Sequence, residues 1–211
     1  MRSVAKSIPS GVADFDSIIK GGFPLGSVVL LVGELGAGQM EFALTSAAKL
    51  SMVKERPDTA AFVLGAGRES RLPDKICYIT FSRSRDEVLD ELREAFNEDF
   101  FNAFERTVQF KDFSSAYFRK TLVPRSWAGE SASLFSSDPV NDNVLEGLVS
   151  YLDENAPGSM IIIDSLTDLV VSANIEIADL VAVLRGMQRV SKKWGGVVYL
   201  VLTNNVLEER K

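Results

Sequence analysis

The sequence contains no histidine among its 211 residues. Imidazole is the commonest general base in enzymes, a frequent zinc ligand, and a member of the Ser-His-Asp and Cys-His catalytic systems. Its absence excludes those hydrolase mechanisms and every metal site built on imidazole.

Cysteine and long apolar runs are also scarce. Cys77 is the single cysteine, so no disulfide can form within the chain, and its apolar surroundings are typical of a buried side chain in a reducing compartment. No apolar stretch approaches the about 18 residues of a membrane span, and residues 1–9 lack the apolar core of a secretory signal. We expect one domain, 1–211, that is cytoplasmic and makes no membrane contact.

Basic residues are outnumbered, since 23 Lys and Arg face 29 Asp and Glu, for a net charge of -6. A nucleic-acid-binding domain normally has a clustered basic face, so we expect no nucleic-acid partner. The aromatic segment at 96–118 has rings that could stack on bases. In an acidic chain it favours core or partner contacts instead.

Apolar runs alternate with amphipathic segments along the chain. The strands are predicted at 28–32, 76–81, 107–110, 160–163 and 197–202. The helices are predicted at 41–52, from a capping box at Ser84 and Glu87 to about 96, at 143–152 and at 177–192. The polar segment at 55–75 is predicted to be a surface connection, and the Ser-rich segment at 114–143 a long loop. Strands that are apolar throughout indicate a parallel sheet. The predicted fold class is therefore α/β, with three layers and a central, mainly parallel β-sheet flanked by helices.

The segment after the first predicted strand has the frame of a phosphate-binding loop. Gly33 and Gly38 have the spacing of G-x-x-x-x-G-K-[ST], but Gln39 replaces the lysine and Met40 replaces the hydroxyl residue. The lysine of that motif reaches the β- and γ-phosphates and the hydroxyl binds Mg²⁺, whereas an amide is uncharged and a thioether is a poor ligand for a hard cation. The candidate nucleotide-binding residues are Gly33, Glu34, Leu35, Gly36, Ala37, Gly38, Gln39 and Met40.

Three segments carry a resemblance to a known family. They are Ile8 to Gly11 with Phe15, Asp16, Gly21, Gly22, Pro24, Gly26 and Ser27; Ile161 to Thr167; and Trp194 to Gly196 before the last strand. Together with the glycine loop they resemble the KaiC-like branch of the RecA-superfamily P-loop ATPases. The resemblance implies a RecA/KaiC-like P-loop fold, a Walker B-like role for Asp164 and Ser165, and γ-phosphate sensor positions at Thr203 and Asn204, with Asn205 beside them.

The departures from this family concern its chemistry. Active relatives end the strand at 76–81 with a pair of glutamates, one of which orients the attacking water, and here Ser82 and Arg83 stand in their place. Relatives also continue for another strand or two beyond the strand that ends near Thr203, so the resemblance leaves the outer edge of the sheet open.

The combined pattern predicts a pseudo-ATPase rather than an enzyme, with no catalytic residue and no metal ligand. Loss of the charged hydrogen bond removes about 1.5–3 kcal/mol, while the loop amides still attract anions, so we expect ATP or ADP to bind weakly if at all. The expected role is regulatory or scaffolding, as a homo-oligomer or with an active KaiC-like relative. The alternative is a slow ATPase completed by a neighbouring subunit.

A dinucleotide-binding oxidoreductase is a more distant alternative. Gly36 and Gly38 begin like the G-x-G-x-x-G fingerprint, but Glu41 stands in the place of the third glycine. No acidic residue follows the strand at 76–81 to hold a ribose, which also opposes this alternative.

Overall fold

The fold is described from a computed structural model that covers residues 7–119, 121–124, 127, 143–172 and 174–204. Most of the predicted loop at 114–143, and Asn205, lie outside the described residues. In the described ranges no helix is long and apolar enough to cross a membrane.

The strands and helices have the following bounds. The strands are β1 (Ser7–Ile8), β2 (Phe23–Pro24), β3 (Ser27–Gly33), β4 (Ile76–Thr80), β5 (Val108–Asp112), β6 (Met160–Asp164) and β7 (Val197–Thr203). The helices are α1 (Ala13–Ile18), α2 (Gln39–Glu55), α3 (Ala60–Val63), α4 (Arg85–Ala95), α5 (Glu98–Thr107), α6 (Ser114–Phe118), α7 (Val144–Asn155), α8 (Leu166–Val171) and α9 (Ile177–Trp194).

Five strands form one sheet in the order β3-β7-β6-β4-β5, and every pairing in it is parallel. The register places Gly33 opposite Thr203, and Thr80 opposite both Asp112 and Asp164. The carboxyl ends of the strands therefore meet at one end of the sheet, which is where ligands bind in open α/β sheets.

Each face of the sheet carries its own apolar core because alternate residues of a strand point to opposite faces. Ile76, Tyr78 and Ile162 face the cluster under α2, α4 and α5, whereas Cys77 and Ile161 face the cluster under α7, α8 and α9. The central strands are buried on both faces, as their apolar runs predict. The predicted α/β fold, with a central parallel sheet flanked by helices, is confirmed.

Several local predictions are confirmed in detail. Ser84 and Glu87 form the capping box that begins α4, and Cys77 is buried. The aromatic segment lies mainly in the core, since Phe101, Phe104 and Phe113 are buried. The core interpretation of that segment is therefore correct for these three rings.

Two local predictions are wrong. The segment 55–75 is not simply a polar connection, because it contains α3 and two 3₁₀ turns and buries Val63 and Leu64. The start of the predicted loop at 114–143 is helical, as α6.

Candidate functional site

The glycine loop joins the end of β3 to the beginning of α2, as the P-loop frame predicts. Gly36 and Gly38 have φ angles of 78° and 93°, a left-handed conformation that favours glycine. Gly38 precedes Gln39, the first residue of a 17-residue helix, so the amino end of α2 opens onto the loop. This is the backbone arrangement that attracts anions through N–H groups and the helix dipole.

The side chain of Gln39 turns back across the loop. Its Nε2 donates to the carbonyl oxygen of Glu34 at 3.3 Å and to the Oγ1 of Thr203 at 3.4 Å. Its Oε1 is buried without a hydrogen-bond partner in the described part of the chain. A Cβ added to Gly33 would overlap that oxygen, so a larger residue at this position would require the Gln39 amide to move.

The two sensor candidates lie beside the loop. The backbone N–H of Asn204 donates to the carbonyl oxygen of Gly33 at 2.9 Å. The backbone N–H of Thr203 donates to the Oγ1 of Thr167 at 2.8 Å. The parallel register of β3 and β7 thus brings Thr203 and Asn204 to the loop, although they lie far from it in sequence.

Asp164 ends β6 and is 4% exposed. The hydroxyl of Tyr78, on the neighbouring strand, donates to its Oδ2 at 2.6 Å. The Nη1 of Arg83 lies 3.5 Å from the same oxygen and forms an ion pair with it. The carboxylate at the Walker B-like position therefore already has a hydrogen-bond donor and a cation from its own chain.

Arg83 is held in place by further contacts. Its Nη2 donates to Glu91 of α4, and its backbone oxygen accepts from the Oγ1 of Thr80 at 2.7 Å. Arg83 is thus bound between the end of β4 and α4, with its guanidinium turned to Asp164.

The environment shifts the pKa values of this cluster. Burial raises the pKa of Asp164, although the Tyr78 hydroxyl and the Arg83 charge act in the opposite direction. Burial and the adjacent carboxylate raise the pKa of Tyr78 well above its ordinary value, so Tyr78 stays a donor at neutral pH. Burial acts to lower the pKa of Arg83, but the negative groups around it raise it, so Arg83 stays a cation.

Met40 packs against the same cluster, with its Sδ 3.5 Å from the Tyr78 hydroxyl. A thioether gives Mg²⁺ no hard ligand, while Tyr78 directs its proton to Asp164. Among the described residues no group of histidine, cysteine, aspartate or glutamate side chains has a geometry that could hold a metal ion.

Ser165 has a structural partner. It caps α8 in a reciprocal capping box with Asp168, whose carboxylate accepts from the backbone N–H and the hydroxyl of Ser165. Asp164 makes its side-chain contacts with Tyr78 and Arg83, whereas the Ser165 hydroxyl contacts Asp168.

The loop residues Glu34, Leu35, Gly36 and Ala37 are exposed to solvent, and Leu35 is 90% exposed. The described structure thus gathers the predicted loop, Asp164, Thr203 and Asn204 at one end of the sheet. Sequence reasoning missed Tyr78, which lies inside an apolar strand, and Glu91, which looks like any charge on an exposed helix face.

The described structure is similar to a crystal structure of a KaiC-like protein from the hyperthermophilic archaeon Pyrococcus horikoshii. The TM-score is 0.56 with 20% sequence identity, over 94% of this chain and 71% of the archaeal chain. By sequence alone no protein-family model matches, and no curated protein shows a significant match. The chain therefore shares the fold of this KaiC-like protein, and the fold alone is what the comparison establishes.

The Tyr78 hydroxyl makes the shortest contact with the buried carboxylate of Asp164, so its removal should destabilise the folded protein. We expect Tyr78→Phe to lower the free energy of unfolding by about 1.5–3 kcal/mol, since a hydrogen bond to a charged group is lost and its acceptor stays buried. Urea denaturation at neutral pH measures this change.

Tyr199→Phe is the matched control, because Tyr199 is also fully buried but its hydroxyl contacts a neutral group, the Ser46 hydroxyl, at 3.4 Å. A neutral and long hydrogen bond is worth about 1 kcal/mol or less. Equal losses in the two variants would contradict a special role for Tyr78.

Proposed function

We propose that this protein is a KaiC-like pseudo-ATPase, a regulatory or scaffold protein that binds ATP or ADP weakly and does not hydrolyse it efficiently. The observation that carries the proposal is the contact of Arg83 and Tyr78 with Asp164. A resident guanidinium at 3.5 Å neutralises the carboxylate toward which a nucleotide-bound Mg²⁺ would turn. A divalent cation brought to the same oxygen would be repelled by Arg83.

The loop supports weak binding without the lysine. Its backbone N–H groups and the amino end of α2 do not depend on side-chain identity, so they retain an attraction for phosphate. Glu34 in the loop and Glu41 in the first turn of α2 add negative charge close by, which opposes a polyphosphate. The balance favours low affinity rather than loss of all binding.

More of the residues required for hydrolysis are missing than of those required for binding. Phosphoryl transfer depends on positioned charge and on a group that orients water, and the end of β4 offers Ser82 and Arg83 for that task. Neither a neutral hydroxyl nor a guanidinium engaged with Asp164 and Glu91 accepts a proton from water. Turnover is therefore expected near the uncatalysed rate.

At one edge of the sheet β3 pairs with no further strand within the described ranges, and this free edge supports the assembly part of the proposal. β3 lies at this edge, contains no charged residue, and leaves Leu30 and Val32 each half exposed. The opposite edge, β5, carries Lys111 and Asp112, which discourage edge pairing. The apolar edge fits a second copy of the chain or a KaiC-like relative as partner.

We expect no phosphate release above background from purified protein with Mg-ATP in a malachite-green assay. Asp164→Asn, which keeps an acceptor for Tyr78, should leave that background unchanged. Turnover that disappears in Asp164→Asn would contradict the pseudo-ATPase proposal. Turnover that also rises with protein concentration would favour a slow ATPase completed by a neighbouring subunit.

For the assembly we expect a mass above the 23.1 kDa of one chain in size-exclusion chromatography with light scattering. Leu30→Lys should return the protein to one chain, because a lysine on the free edge opposes pairing. Ile18→Lys is the control, since Ile18 is another exposed apolar residue, on α1. A wild type of 23.1 kDa at all concentrations, or an equal effect of both variants, would contradict the use of this edge.

A further inference from the structure

The glycine loop is spanned by a side chain of its own. Gln39 follows the loop, yet its Nε2 contacts Glu34 at the beginning of the loop and Thr203 at the end of β7. The amide therefore reaches back from the first residue of α2 across the loop to Glu34, on the side where β3 and β7 end. This amide belongs to the first residue of α2, beside the backbone N–H groups that would attract an anion.

The hydrogen bonds that hold the Gln39 side chain across the loop are weak, so this side chain can move away. Both hydrogen bonds of Nε2, at 3.3 and 3.4 Å, are at the long end of the usual range. Oε1 is buried with no hydrogen-bond partner in the described structure, which is unfavourable for a polar atom. A side chain that gains little from its closed position gives up little when it rotates into solvent.

We propose that Gln39 is a latch that closes the glycine loop, and that a phosphate-bearing ligand binds only after the amide leaves Glu34 and Thr203. The proposal rests on the proposed function for the loop as a weak nucleotide site. It adds that the weakness has two sources: the missing lysine charge, and an amide that must first be displaced. When only part of the molecules have the loop open, the apparent affinity is reduced to the intrinsic affinity multiplied by the open fraction.

Removal of the Gln39 amide should therefore increase the affinity for phosphate-bearing ligands. If Gln39 only stood in the place of a lysine and did not close the loop, its removal would not increase that affinity. Gln39→Ala deletes the amide at a helix position where alanine is favourable, so the fold is retained. Isothermal titration with ATP in the presence of EDTA should show about threefold tighter binding than wild type, a modest gain because the bridge is weak, and inorganic pyrophosphate should show the same direction. Threefold corresponds to about 0.7 kcal/mol.

Two further variants separate the latch from a general effect. Thr203→Val removes the acceptor at the other end of the bridge with a residue suited to a strand, and should give a smaller gain. The double variant should bind no more tightly than Gln39→Ala alone, because both changes act on one contact. Gln188→Ala, on the exposed face of α9, should leave affinity unchanged.

Affinity in Gln39→Ala equal to or below that of wild type, with an unchanged circular-dichroism melting curve, would overturn the latch. Absence of binding by both proteins at millimolar ligand would also overturn it, since opening the loop would then expose no anion site. Hydrolysis by the wild type would refute the pseudo-ATPase proposal but leave the affinity ratio between Gln39→Ala and wild type unaffected, so the two failures are distinguishable.

Discussion

A carboxylate buried at the end of a central strand is the constraint on which the rest of the site depends. Asp164 lies in the sheet between β4 and β7, where an uncompensated negative charge would be very unfavourable. Enzymes of the P-loop class meet this requirement with Mg²⁺ at their Walker B residue. Here the protein supplies Tyr78 and Arg83 from the next strand and the turn that follows it.

The side chains around Asp164 form one connected set. Met40 lies against the Tyr78 hydroxyl, which donates to Asp164, and Arg83 forms an ion pair with the same carboxylate. Gln39 belongs to a second set, since its neutral amide contacts Glu34 in the loop and Thr203 at the end of β7.

Much of the fold could be predicted because its signals are local. The apolar runs at β4, β6 and β7 and the capping box at Ser84 each lie within a few residues of sequence. Helix α5 is not among the predicted helices, although the Asn97 cap and the spacing of Phe101 and Phe104 indicate a helix there.

The site was predictable in its positions but not in its partners. The loop frame and Asp164 are visible as motifs, and the parallel register brings their elements together. The bonds from Tyr78 to Asp164 and from Gln39 to Thr203 join residues 86 and 164 positions apart. No local pattern encodes such pairs, since Tyr78 looks like a core aromatic and Gln39 like a helix residue.

The dependence of ATP affinity on Mg²⁺ tests most directly whether Arg83 takes the place of the metal. For the wild type, isothermal titration with ATP should give the same dissociation constant with excess Mg²⁺ and with EDTA. The control variant Arg85→Ala, which changes a nearby arginine, should behave in the same way. In Arg83→Ala the uncovered Asp164 should weaken metal-free binding, and Mg²⁺ should restore it. Wild-type affinity that rises tenfold or more with Mg²⁺ would contradict the account.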